Sequence, residues 1–121
     1  MNETDLLISN ARERLKSAYI LFGCYADAVS RAYHSMFFGA KALLLKREIY
    51  PRTHRGLISQ FSLELVKNQG FPRDLFDLLT RAQEEREEAD YGFQIDIDRK
   101  EADLIVNGAQ KFLDECEKYL S

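Results

Sequence analysis

Residues 25–47 read YADAVSRAYHSMFFGAKALLLKR, and this stretch decides the fold of the chain. When its residues are placed at the helical angle of about 100° each, most of its apolar side chains fall on one broad face. A helix with such a face is expected to bury it in the core of a bundle. The predicted core face consists of Val29, Ala32, Tyr33, Met36, Phe37, Ala40, Leu43 and Leu44.

The opposite side of this helix is also partly apolar, because Phe38 and Leu45 lie there, beside Arg31 and His34. A helix that is apolar on two sides is usually buried on two sides. It is therefore either central in the bundle or carries a subunit interface. We predict a homodimer with Phe38 and Leu45 in its interface. The strip beside them has small residues that would allow a second helix to approach closely: Ser35, Gly39 and Ala42.

Four breaks divide the rest of the chain into helices, since apolar residues between the breaks recur every three or four positions. The breaks are Gly23, Pro51, Pro72 and the Tyr91-Gly92 pair. The predicted helices run from after Thr4 to Gly23, from Tyr25 to Arg47, from Thr53 to about Asn68, from Pro72 to near Asp90, and from Asp98 to about Tyr119. Short connections of this kind favour an all-α, up-and-down antiparallel bundle of four to five helices, a single domain over 1–121.

Composition excludes several classes of protein. The chain has 121 residues, 45% of them hydrophobic, and a formal net charge of only −3, so any nucleic-acid contact must come from a local patch. No basic segment followed by an apolar one opens the chain, and no apolar run approaches the ~20 residues of a membrane span, so a cytoplasmic location is expected. Cys24 and Cys116 match no metal-ligand spacing and are expected to be buried, reduced thiols. A disulfide between them stays an alternative at this point. We expect no metal and no cofactor.

Charge is concentrated in two places. Between Lys41 and Arg55 there are five basic residues and one acidic residue, and His54 lies in the motif R-T-H-R at a predicted helix start, where exposed N–H groups favour anions. This segment is a candidate contact for phosphate or RNA, although solvated surface charge would look the same. Around Arg86, by contrast, five acidic residues give a local charge of −4 and would repel phosphate.

Two segments carry a resemblance to a known family. DAVSRAYHSMFFGAKALLLKREIYPRTHRGL (27–57) and EEREEADYG (84–92) resemble the HEPN superfamily, in particular its small stand-alone UPF0332-like branch. The resemblance implies a helical bundle that is commonly dimeric. It also implies a minimal nucleotidyltransferase as a possible partner, in a toxin–antitoxin-like pair. The active branches of the family are metal-independent ribonucleases marked by an Arg and a His four to six residues apart.

The chain departs from this motif at one position. Arg86 matches the family's arginine, but Tyr91 stands where the histidine is expected. A phenol with its reference pKa of about 10 is protonated at neutral pH and is a poor base. We therefore favour a binding or regulatory role over cleavage. The expected ligand surface for RNA or a nucleotide consists of Arg31, His34, Arg52, His54 and Arg55.

Two alternatives stay open at this point. The first is a ribonuclease that uses Arg86 as a catalytic residue with Tyr91, or that borrows a histidine from elsewhere in the dimer. The second is a purely structural, dimeric interaction module.

Overall fold

The computed structural model describes residues 2–90 and 97–120, and these residues form helices and short connections without strands. The all-α prediction is therefore confirmed. The helices are α1 (Glu3–Ile20), α2 (Tyr25–Lys46), α3 (His54–Phe61), α4 (Arg73–Asp90) and α5 (Arg99–Lys118), and α3 continues directly into a π-helical turn, Ser62–Lys67. The extended connection predicted for residues 92–97 lies, except for Ile97, outside the described residues, and so does Tyr91.

Helix α2 is the central element of the bundle and packs against α1, α3, α4 and α5. Its predicted core face is buried except for Phe37, which is only partly covered. The small residues Ser35, Gly39 and Ala42 are fully buried as well. A Cβ atom at Gly39 would lie 2.7 Å from Cδ2 of Leu113. The small strip thus allows α5 to approach within the same chain, and α2 is central in the bundle.

The helix ends follow from specific caps. Thr53 accepts a hydrogen bond from the N–H of Gly56 at 2.9 Å, and Asp98 accepts one from the N–H of Glu101 at 2.8 Å, as predicted. The prediction of Thr4 as the first cap is wrong. Asn2 has the extended backbone of an N-cap, and its side chain accepts the N–H of Asp5 at 2.8 Å.

The two cysteines differ in their surroundings. Cys116 is fully buried among the apolar side chains of α5, as predicted. Cys24 is exposed, so its predicted burial is wrong, because it lies at the N-cap position of α2 in a short surface connection and makes no side-chain capping hydrogen bond. Both thiols are free of disulfide bonds. None of the described helices has the length and apolar character that crossing a membrane requires.

Candidate functional site

The first histidine of the site is held by a buried tyrosine. Thr53 starts α3, so His54 is the first residue of that helix and faces α2. The hydroxyl group of Tyr33, a fully buried side chain, lies 2.7 Å from Nδ1 of His54. The ring of Phe37 stacks on the imidazole with 4.3 Å between the ring centres. Because Nδ1 is engaged, Nε2 is the atom that His54 offers to a ligand.

Tyr33 and Phe37 were predicted as core residues, and their contact with His54 was not predicted. A signal was nevertheless present, because a buried tyrosine usually needs a hydrogen-bond partner for its hydroxyl group. Burial, partly offset by the positive charge of Arg86, raises the pKa of Tyr33 to about 12. The phenol therefore stays protonated and positions His54 without acting as a base.

The second histidine, His34, has its tautomer set by the backbone of its own helix. Its Nδ1 lies 2.8 Å from the carbonyl oxygen of Ser30. Since a carbonyl oxygen can only accept, Nδ1 must carry the hydrogen. Desolvation lowers the pKa of His34, with smaller contributions from the charges of Arg86 and Arg14. The neutral ring that results presents an unprotonated Nε2, the form required of a general base.

Arg86 joins the two histidines through the ring of Tyr33. Its guanidinium carbon lies 5.4 Å from the centre of that ring, a distance suited to a cation–π contact. The same ring centre is 5.3 Å from that of His34 and 6.1 Å from that of His54. The charge of Arg86 contributes, after desolvation, to lowering the pKa of both histidines. A cation and two neutral imidazoles thus surround one tyrosine, although they come from three different helices.

Arg31 lies on the His34 side of this cluster. It lines a cleft of about 520 Å³ together with His34, Asp27 and Ser30. Arg31 itself is exposed. The cleft therefore offers a cation and an imidazole to the same bound group.

The other predicted basic residues lie away from Tyr33. Arg55 lines a separate cleft between α3 and α4, where Glu84 and Glu87 are also found. Arg52 is exposed in the connection that precedes α3. The structure therefore brings together Arg31, His34, His54 and Arg86 of the predicted site residues, and it leaves Arg52 and Arg55 at the periphery.

The acidic surroundings of Arg86 are less negative than the sequence suggests. The side chain of Glu85 is mostly buried and interacts with Glu101 of α5. Desolvation first, and then the hydrogen bond with Glu101, raise the pKa of Glu85 to about 8. This carboxyl group is therefore protonated at neutral pH and adds no negative charge beside Arg86.

Phe38 and Leu45, the predicted interface residues, are both partly buried. The guanidinium carbon of Arg14 in α1 lies 5.7 Å from the centre of the Phe38 ring. Leu45 lines a cleft of about 440 Å³ between α1 and α2, with Leu6 among its neighbours. The homodimer stays a prediction.

Comparison with known proteins agrees with the resemblance seen in the sequence. The profile described as HEPN domain matches residues 4–119. "Putative toxin MJ0142" of Methanocaldococcus jannaschii is 37% identical over 120 residues, which cover 98% of this chain and 82% of the relative. "Putative toxin MJ0605" of the same organism is 38% identical, and the match covers 98% of this chain and 89% of the relative. A UPF0332 protein of Thermotoga maritima is 30% identical, and the match covers 99% of this chain and 96% of the relative. The chain belongs to the HEPN domain family.

Proposed function

We propose that this protein acts as a toxin-type HEPN protein that binds single-stranded RNA beside Arg86 and cleaves it with two histidines. One observation carries the proposal: His34, His54 and Arg86 all contact the ring of Tyr33. Family membership and the word toxin in the names of two relatives support the same reading. This departs from the preference for a non-catalytic role that the sequence suggested.

The arrangement suits cleavage by acid–base chemistry. Nε2 of His34 accepts the proton of the ribose 2′-hydroxyl, and the 2′-oxygen attacks the adjacent phosphorus. The bond from phosphorus to the 5′-oxygen then breaks, and the leaving oxygen takes a proton from the minor fraction of His54 that is protonated, since the lowered pKa leaves this ring mostly neutral at pH 7. Arg86 stabilises the negative charge of the phosphate during the transfer. The products are a 2′,3′-cyclic phosphate and a 5′-hydroxyl, so atoms and charge balance.

In this proposal Tyr91 is not needed as a replacement for the family's histidine. The two imidazoles come from α2 and α3, and Tyr33 positions one of them. The proposal therefore revises the alternative in which Arg86 works with Tyr91.

The test is incubation of the full chain with labelled single-stranded RNA in a buffer containing EDTA. Removing either histidine, as in His34→Ala or His54→Ala, should lower the cleavage rate by about 10²–10⁴-fold, the usual contribution of a general acid or base. Arg86→Ala should be similarly impaired. Arg73→Ala is the matched control, because Arg73 is an exposed arginine at the other end of α4. Cleavage that survives in both histidine variants would overturn the proposal.

Binding without cleavage is the second candidate, and Tyr91 in place of the motif histidine favours it. In that case the same surface would hold RNA or a nucleotide, and the chain would regulate a minimal nucleotidyltransferase as a homodimer through Phe38 and Leu45. RNA that is bound at low salt but never cut would support this candidate, since phosphate contacts strengthen as salt falls. Light scattering would report the dimer as a mass of about twice the 14.1 kDa of the chain.

A further inference from the structure

Two clefts lie beside the proposed catalytic cluster, and the same two residues line both. The larger cleft contains His34 and Arg31, and the smaller contains Arg86. Asp27 and Ser30, from the first turns of α2, are the residues that the two clefts share. A nucleotide whose phosphate lies against Arg86 and His34 would direct its base over these two residues.

The smaller cleft has the size and lining of a site for one nucleobase. Its volume is about 150 Å³, less than the ~300–1,000 Å³ typical of pockets for drug-sized ligands. Val29 and Ile97 give it apolar walls, which suit the face of an aromatic ring, and Glu85 also lines it. The polar atoms of Asp27 and Ser30 can then meet the edge of that ring. Apolar walls with a few polar groups are typical of a site that selects among flat ligands.

The carboxylate of Asp27 decides which base fits best. An ionised carboxylate accepts hydrogen bonds through two oxygens and donates none. Guanine presents two adjacent donors, N1–H and N2–H, on its Watson–Crick edge, whereas adenine and cytosine present an amino group beside an acceptor nitrogen. Uracil presents a single N–H between two carbonyl oxygens. Unpaired RNA bases are commonly recognised on this edge.

We propose that the cleft of Asp27, Ser30, Val29 and Ile97 is a guanine-binding subsite for the nucleotide next to the phosphate that is cleaved. This inference rests on the proposed function, since it assigns a base preference to the same RNA site. It makes Asp27 a specificity-determining residue. Cleavage chemistry itself stays with the histidines and Arg86.

The test measures binding separately from cleavage. The full-length protein is titrated calorimetrically with 3′-GMP, 3′-AMP, 3′-CMP and 3′-UMP. We expect 3′-GMP to bind about tenfold more tightly than the other three, within the range that a good bidentate contact to a base provides. Asp27→Asn should reduce this preference to about twofold or less, because the amide places a donor opposite a donor. Asp5→Asn is the matched control, since Asp5 is an exposed acid in the first turn of α1.

Equal binding of the four nucleotides, no binding of any, or a guanine preference that persists in Asp27→Asn would each overturn the subsite. Mapping the cut sites on labelled RNA separates this result from the proposed function. Cleavage after every base that is lost in Arg86→Ala would refute the subsite and support the ribonuclease. A guanine preference lost in Asp27→Asn without any RNA cleavage would support the subsite and refute the ribonuclease.

Discussion

Replacing Glu85 with Gln should change how the stability of this protein depends on pH. Only 17% of the Glu85 side chain is exposed, and it contacts Glu101, which in turn binds Arg81 with 2.6 Å between Oε2 and Nε. Two ionised carboxylates in contact would repel each other. Desolvation and the hydrogen bond with Glu101 raise the pKa of Glu85 from 4.5 to about 8, so the pair shares a proton at neutral pH.

The sign of the effect follows from proton binding. Between pH 4.5 and about 8 the folded protein keeps a proton on Glu85 that the unfolded chain has lost. The free energy of unfolding therefore falls as the pH rises through this window. This contribution is fully present below pH 4.5 and is lost as the pH passes about 8.

The magnitude can be bounded from the same values. One pKa unit corresponds to about 1.4 kcal/mol, so the whole shift would amount to about 5 kcal/mol. Screening by the water that reaches this partly exposed pair reduces the figure, and we expect about 2 kcal/mol. For a chain of this size that is a change of about 8 °C in Tm.

Urea unfolding of the wild type and Glu85→Gln at pH 5, 6, 7 and 8.5 provides the assay. The Gln amide donates to Glu101 at every pH, so the variant should gain about 2 kcal/mol relative to the wild type between pH 5 and pH 8.5. Glu84→Gln is the control, because Glu84 is the exposed neighbour on the same helix. Parallel pH curves for the wild type and Glu85→Gln would refute the reasoning.

Three further predictions concern the core and the two histidines. Tyr33→Phe removes the hydroxyl group that holds His54, so the unfolding free energy should fall by about 1 kcal/mol. The NMR titration of the His54 ring should also shift, and an unchanged titration would contradict the role of Tyr33 in positioning His54. In urea titrations, Gly39→Val should lower the unfolding free energy by about 2 kcal/mol or more, because even a Cβ atom there clashes with a buried side chain. Gly23→Val is the control and should change it far less, because nothing lies within 4 Å of a Cβ atom at Gly23. The lowered pKa of His34 means that the free energy of unfolding decreases as the pH falls below 6.5. His34→Gln should therefore lose less unfolding free energy than the wild type between pH 7.5 and pH 5 in urea titrations. An identical loss would argue against a neutral imidazole in the folded protein.

Much of the bundle could be predicted from local patterns. The buried stripe of α5 and most of the core face of α2 follow from apolar residues at helical spacing, and Thr53 and Asp98 cap their helices as their sequence context indicates. Arg86 and the two histidines were also recognised as candidates. Tyr33 was not, because a periodic pattern treats every aromatic residue as apolar and takes no account of its hydroxyl group.

The small strip of α2 depended on the tertiary structure. Spacing indicates that Gly39 permits a close approach, but it does not say which helix approaches. In the structure the neighbour is α5, with Leu113 and Cys116 nearest to the missing Cβ. Phe38 and Leu45, predicted as interface residues, are partly buried, and α1 of the same chain contributes to this burial.

By itself the sequence determined the all-α class, the main helix boundaries and the family, because these depend on spacing, capping and short motifs along the chain. Only the tertiary structure decided that His34, His54 and Arg86 contact one tyrosine, and that Asp27 lines two neighbouring clefts. The physical reason is that α2, α3 and α4 meet through packing between residues far apart in sequence. That packing sets the distances and the desolvation on which the proposed chemistry depends.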